Sequence, residues 1–296
     1  ILLTEAEGGF DWSDEANVQF RLCAIGAGNP FATVLEFLAE AEPRRWAPVG
    51  YGDPARKKGK GESEDELGED DDGVEDAAIA PPELARTFPA ENADRMALPI
   101  RLGGGNRPVV ELGHWTDGSS RDSFKLYAGN RSADRIARAM LMGVRKKPTV
   151  RQRAAGQPGE LRTKGVRQLW EADRVSLTAA PFDVLTPMGG SFNFDPRGAW
   201  TAIDAGYSPN EHKHAIEASP VVEFLAAWGL EHARPDEFAV RQVRYAAWGA
   251  ELPPMLARAA LCGGLAAVPL RRFRFELDLS GKNKVVTFAE EEPRTW

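Results

Sequence analysis

Apolar and polar residues alternate through Val18-Gln19-Phe20-Arg21-Leu22, the period-two pattern of a strand with one face buried. Asn29-Pro30 then reads as a helix start, with Asn as N-cap and Pro at the first helical position. Phe31, Val34, Leu35 and Leu38 follow at helical spacing, and Pro43 marks the far end. A strand is predicted at Val109–Leu112, after a glycine-rich stretch that begins near Arg101. Ser132 is placed to cap a helix over Ala133–Met142, with Ile136, Ala139 and Met140 inward and Asp134, Arg135 and Arg138 outward. In the second half the pattern predicts a strand at Ser191–Phe194 and a turn at Asp195-Pro196-Arg197-Gly198. Ser219-Pro220 opens a helix carrying Val221, Val222, Leu225 and Trp228, with Gly229 as its stop. A strand at Val240–Tyr245 and a helix at Met255–Leu261 follow. A closing hairpin of Arg272–Leu279 and Lys284–Phe288 turns about Ser280-Gly281-Lys282-Asn283.

These elements predict an α+β fold: mixed, mostly antiparallel sheets with packed helices and long irregular basic and acidic loops. Three regions are expected. Residues 1–100 form an N-terminal α+β region with an acidic insertion at 53–83, 101–180 a basic nucleic-acid-contacting region, and 181–296 a C-terminal α+β region. The stretch Arg145–Lys164, nearly free of large apolar groups, reads as a mobile loop.

Charge sharpens this division. The formal net charge is −7, yet ten acids and no base lie between Glu62 and Asp76, while Arg101–Arg174 holds sixteen Lys/Arg against seven Asp/Glu. One loop makes the chain acidic, and its middle is basic. The 43% hydrophobic content is enough for a sizeable core. No apolar run approaches the ~20 residues of a membrane-spanning helix, and nothing near Ile1 reads as a signal peptide. Cys23 and Cys262, the only cysteines, cannot build a cysteine-rich zinc framework, and fit small buried hydrophobes in a reducing cytoplasm.

Signs of catalysis are few. Of the histidines His114, His212, His214 and His232, only His212-x-His214 has ligand spacing, and its polar setting, Asn210-Glu211-His212-Lys213-His214, suits an exposed loop better than a metal site. There is no Gly-x-Ser-x-Gly elbow, and Gly103-Gly104-Gly105-Asn106-Arg107 has neither P-loop nor dinucleotide spacing. No cofactor and no metal are expected. The basic middle carries more information. Lys125, Asn130, Arg131, Arg135 and Arg138 cluster around Tyr127, and the three arginines recur at intervals of four and three along one helix face. Arg145, Lys146 and Lys147, then Arg151, Arg153, Arg162, Lys164 and Arg167, extend the charge. Arg and Lys neutralise phosphates, Asn bonds base edges and Tyr stacks, so the combination points to nucleic acid. A solvated helix face is the plain alternative.

Two blocks carry a family resemblance: Phe192-Asn193-Phe194-Asp195-Pro196-Arg197-Gly198 and Ile203-Asp204-Ala205-Gly206-Tyr207-Ser208-Pro209-Asn210. Ser219–Leu230, Arg234-Pro235, Phe124–Arg131 and the Asn29-Pro30 helix start accompany them. Together they resemble the large-subunit-like proteins of type I-G (formerly I-U) CRISPR effector complexes. Leu126-Tyr127 and Asn130 stand where that family has Thr-Trp and Gln, and the acidic insertion is a further departure. The resemblance implies a non-catalytic, cytoplasmic subunit of the crRNA-guided surveillance complex Cascade, acting in antiviral defence. Its ligands would be crRNA and target double-stranded DNA, and its partners other Cascade subunits and a separate helicase-nuclease, with no membrane. In such complexes guide pairing reads the sequence and protein reads the short PAM. Lys125, Asn130 and Arg131 are the positions carried over for nucleic-acid contact, while Asp195, Asp204, Tyr207 and Glu223 read as structural. The glycine loop with Asn106 and Arg107 is the candidate PAM reader. The competing readings are a metal-dependent nuclease using His212 and His214, and a purely scaffolding subunit.

Overall fold

The computed structural model describes residues 2–45, 100–103, 108–112, 133–188, 191–192, 194–195, 197, 217–233, 235–280, 283–286 and 288–293. The fold is α+β: helices and small sheets in which every strand pairing among the described residues is antiparallel. These residues fall into two compact units, 2–36 with 228–293 and 37–197 with 217–227. The acidic insertion at 53–83, the second block of the family resemblance and the glycine loop beyond Gly103 lie outside the described residues.

The first unit is built mainly from strands. β1 (Thr4–Asp11) pairs with β2 (Gln19–Ile25), which begins one residue after the alternation that announces it. Phe10 and Phe20 lie opposite each other with ring centroids 5.0 Å apart, and Trp248 meets Phe10 edge-on at 5.5 Å. Gly8 exchanges both main-chain hydrogen bonds with Leu252, and the Trp248 indole N–H donates to the Gly8 carbonyl at 2.7 Å. The larger sheet runs β10 (Asp236–Ala239), β11 (Gln242–Trp248), β12 (Leu270–Ser280), β13 (Asn283–Val286), with β14 (Glu290–Glu291) beside β12. Tyr245 stacks on its cross-strand partner Phe273 at 5.2 Å, the kind of pair that stabilises a sheet. Val243, Ala246, Leu252, Ala260 and Leu277 are buried.

Two expectations change here. Val240-Arg241 form a turn and not the start of a strand, and Arg241 takes a left-handed conformation (φ 62°). Cys23 and Cys262 are both exposed, Cys23 because it falls on the outward phase of the β2 alternation. Trp12, Trp170, Trp228 and Trp248, the described tryptophans, are half-buried.

In the second unit, β3 (Arg44–Arg45), β4 (Ile100–Leu102) and β5 (Val110–Leu112) form a small sheet whose Ile100, Leu102, Val110 and Leu112 are buried. Helix α1 (Pro30–Glu40), of which residues 30–36 belong to the first unit, begins as its sequence predicts, Asn29 Oδ1 accepting the Ala32 N–H at 3.2 Å. Its Phe37, Leu38 and Ala39 are buried. Helix α2 (Ala133–Met142) matches its predicted span and buries Ile136, Ala137, Met140 and Leu141.

Candidate nucleic-acid interface

The segment read as a mobile basic loop is folded. Helix α2 ends at Gly143, whose N–H returns to the Ala139 carbonyl at 2.9 Å and whose φ of +70° suits only glycine without strain. The chain leaves as β6 (Val144–Arg145), and the Lys146 N–H continues the ladder to the Glu160 carbonyl at 2.8 Å. Thr149 then caps the single-turn helix α3 (Val150–Ala154) through a reciprocal capping box. Gln152 N–H donates to Thr149 Oγ1 at 3.3 Å, and Thr149 N–H to Gln152 Oε1 at 2.9 Å. The return strand β7 (Leu161–Thr163) pairs antiparallel with β6. The two arms cross so closely at Gly159 that a Cβ there would lie 1.7 Å from the Lys146 carbonyl oxygen. The capping Thr-x-x-Gln and the two glycines hold the ribbon where large apolar side chains are lacking.

The base of the ribbon is fixed as well. Helix α4 (Val166–Ala179) starts as β7 ends and packs against α2. Gly165 N–H donates to Gln168 Oε1 at 2.9 Å, and Lys164 N–H to Oγ1 of Thr186 at 3.3 Å, in the short strand β8 (Thr186–Pro187) that pairs with β9 (Glu217–Ala218). Sequence periodicity missed α4, because Asp173 breaks it with non-helical φ and ψ and then caps its second half by accepting the Ser176 N–H at 3.0 Å.

This ribbon concentrates positive charge. Arg145, Lys146, Lys147, Arg151, Arg153, Arg162 and Lys164 are all exposed on it, with Glu160 as the one acid in the stretch. Lys146 pairs with Glu160 at 2.7 Å, and Arg145 Nη1 donates to the Gly159 carbonyl at 3.2 Å. The other five make no ion pair among the described residues. A phosphate backbone needs several such cations on one support and no enclosed pocket.

Arg138 does not belong to that surface. It is half-buried, and its Nη2 donates to the Pro43 carbonyl at 3.0 Å. Arg167 acts in parallel, Nε to the Ala39 carbonyl and Nη2 to the Ala41 carbonyl, both at 2.8 Å. The last carbonyls of α1 and the residues after it lack helical partners, and two guanidinium groups supply them. The expected outward placement of Arg138 is therefore corrected: the carbonyl row following α1 draws it inward. Arg135 lies on the same helix, but its side chain is outside the described residues, as are Asn106, Arg107, Lys125, Asn130 and Arg131. The structure thus brings together Arg145, Lys146 and Lys147 of the predicted set.

A second cluster holds Phe192, Phe194, Asp195 and Arg197, the described residues of the first block of the resemblance. Helix α5 (Pro220–His232) buries Val221, Phe224 and Ala227, and Glu223 is fully buried among them. Its carboxylate accepts the N–H groups of Phe192 at 2.6 Å, Phe194 at 2.9 Å and Asp195 at 2.8 Å. The predicted strand at 191–194 is absent among the described residues because these amides bond a side chain in place of a ladder. Asp195, also buried, accepts from Arg197 N–H at 3.1 Å, the Asx turn its sequence announces, and from Ser219 N–H at 2.8 Å. The Arg197 guanidinium adds Nε at 2.9 Å and Nη2 at 2.8 Å. Burial pushes the Glu223 carboxyl above its ordinary range, aided by neighbouring Asp195 and opposed by the three amides. Burial acts the same way on Asp195, but the Arg197 guanidinium and the two amides outweigh it and hold that carboxyl below its ordinary range. A lone acid inside the apolar run Pro220-Val221-Val222-Glu223-Phe224-Leu225 was the available signal, since buried acids need partners. Gly229 does not stop this helix, which continues to His232.

Nothing in the described residues gathers three His, Cys, Asp or Glu into a metal-binding group. His232 has Trp228 Nε1 at 3.2 Å and Arg258 Nη2 at 3.3 Å on its two ring nitrogens; His114, His212 and His214 lie outside the described residues. No helix among the described residues is long and apolar enough to cross a membrane. Comparison with protein-family models, curated proteins and solved structures finds no match.

Proposed function

We propose that the chain is a non-catalytic, nucleic-acid-contacting subunit of a crRNA-guided CRISPR surveillance complex, similar to the large subunits of type I-G Cascade. The observation that carries the nucleic-acid part is the anchored ribbon, with seven exposed cations on a short, hydrogen-bonded support. Such a surface gives salt-dependent affinity without reading sequence, which suits a complex whose specificity resides in guide pairing. The CRISPR part rests on the sequence resemblance. In this reading Lys125, Asn130, Arg131 and Arg135 extend the contact, Asn106 and Arg107 read the PAM, and a separate helicase-nuclease cuts in the cytoplasm. Arg138 serves the scaffold.

Co-expression with the neighbouring genes, followed by purification through this chain, tests the proposal. RNA of uniform length with a shared 5′ handle, carried with partner proteins, is the expected result. Recovery of the chain alone, without RNA, overturns it. Metal-dependent cleavage of nucleic acid by the isolated chain would instead favour a nuclease built on His212 and His214.

A further inference from the structure

Strand β12 places Arg274 directly opposite Arg244 of β11, an arrangement that costs stability in a sheet because like charges face each other at close range. Arg272, two residues away on β12, shares that face by the period-two rule. The repulsion is relieved by the glutamates of one short segment. Glu290, in register with Arg274, pairs with it at 3.2 Å. Glu292 takes Arg244 in a bidentate grip, Nη2 at 2.7 Å and Nε at 3.0 Å from both oxygens. On the opposite face Glu291 holds Arg271 at 2.5 Å.

Among the described residues, ion pairs and a short main-chain ladder keep that segment in place. Its ladder to β12 spans two residue pairs, followed by the Glu292 N–H to the Arg272 carbonyl at 2.8 Å. Glu290 and Glu291 are exposed, and Phe288, the nearest large apolar residue, is 74% exposed. An extended backbone that sets alternate carboxylates about 7 Å apart along one edge presents the same chemistry as a single nucleic-acid strand, a flexible row of regularly spaced anions. Ion pairs of this kind weaken with salt and yield to a competing polyanion.

We propose that Arg244 and Arg274 form a second phosphate-binding surface, for single-stranded nucleic acid, and that Glu290 and Glu292 occupy it in cis until a strand displaces them. This surface rests on the nucleic-acid reading above but is separate from the ribbon.

Binding of a fluorescein-labelled 20-nucleotide oligouridine to the full chain, measured by anisotropy at two salt concentrations, tests it. E290Q/E292Q is expected to bind roughly tenfold tighter at low salt, with a slope steeper by about 0.7 for each arginine newly engaged. Adding R244Q/R274Q to that variant should return affinity to the wild-type value. A folded E290Q/E292Q that binds as wild type does overturns the proposal, and so does a gain that survives loss of the two arginines. If circular dichroism shows the double variant unfolded, E290Q alone decides. Its side chain is 71% exposed, so it tolerates the change, and absence of any gain overturns the proposal. The two surfaces are judged separately. Neutralising the ribbon without effect on affinity sinks the ribbon, whereas the response to E290Q/E292Q judges this surface alone.

Discussion

The Asp195 carboxylate accepts the backbone N–H of Ser219 at 2.8 Å, across 24 residues of chain. Ser219 in turn caps α5, its Oγ accepting the Val222 N–H at 3.3 Å. One turn on, Glu223 reaches back to the three amides around Asp195. A loop acid thus holds the helix cap and a helix acid holds the loop, so each fixes the other. Both acids are buried, and the cost of burying them is met by hydrogen bonds whose number leaves little slack.

Replacing Glu223 by Gln keeps one acceptor oxygen for Phe194 and Asp195 but turns an amide N–H₂ toward the Phe192 N–H. The expected cost is ~1–3 kcal/mol in denaturant unfolding. Its pH dependence follows from the raised carboxyl. A group with a raised folded pKa contributes stability fully below its unfolded pKa and loses it as pH rises through the folded value. The gap between wild type and E223Q should therefore be widest below about pH 4.3, the ordinary Glu value, and narrow as pH rises. A gap that widens with pH would mean that the three amides outweigh burial.

Asp195→Asn should show the opposite trend. The folded carboxyl is held below its ordinary range, so its contribution is complete above the unfolded pKa and lost as pH falls through the folded value. D195N is expected to cost ~1–3 kcal/mol at neutral pH, through the unpaired Ser219 N–H and the weakened Arg197 pairing. The difference from wild type should close on acidification. Parallel unfolding series for the two variants check both signs at once.

The ribbon yields a binding prediction. K147Q/R151Q/R153Q/R162Q removes four exposed cations that make no ion pair among the described residues, so thermal stability should stay within about 0.5 kcal/mol of wild type. Affinity for single-stranded nucleic acid should fall at every sequence tested, and the salt slope should flatten by about 0.7 for each phosphate no longer neutralised. An unchanged slope would leave the ribbon as solvated surface.

How much of this was legible depended on whether local chemistry or long-range partners decide the element. Helices α1 and α2 were readable because a cap and an apolar stripe announce them, and the hairpin of β12 and β13 because turn residues separate two alternating runs. The Asx turn at Asp195 was also readable, since Arg197 lies within two residues. The clamp on 192–195 was not, because its donors and its acceptor lie about 30 residues apart and no spacing rule joins them. The ribbon escapes a sequence reading for a different reason. Its strands are two and three residues long and its order comes from a capping box and close backbone crossing, neither of which leaves a hydrophobic period.

Arg138 and Arg167 separate scaffold from interface. Both are cationic, both lie in the basic middle, and composition alone cannot tell them from Lys147 or Arg153. Geometry does, since their guanidinium groups donate to the carbonyls of Ala39, Ala41 and Pro43. Charge-assisted bonds to half-buried carbonyls are worth more than exposed ion pairs, and removing the donor leaves those oxygens unsatisfied. R167A should therefore cost about 2–3 kcal/mol in unfolding free energy and R138A about 1–2 kcal/mol. Neither should alter the salt slope of nucleic-acid binding under conditions where the variant remains folded. The ribbon substitutions carry the reverse signature, with the slope changed and stability kept. A slope that flattens for R138A at full stability would return Arg138 to the binding surface and require its bond to Pro43 to open when a phosphate arrives.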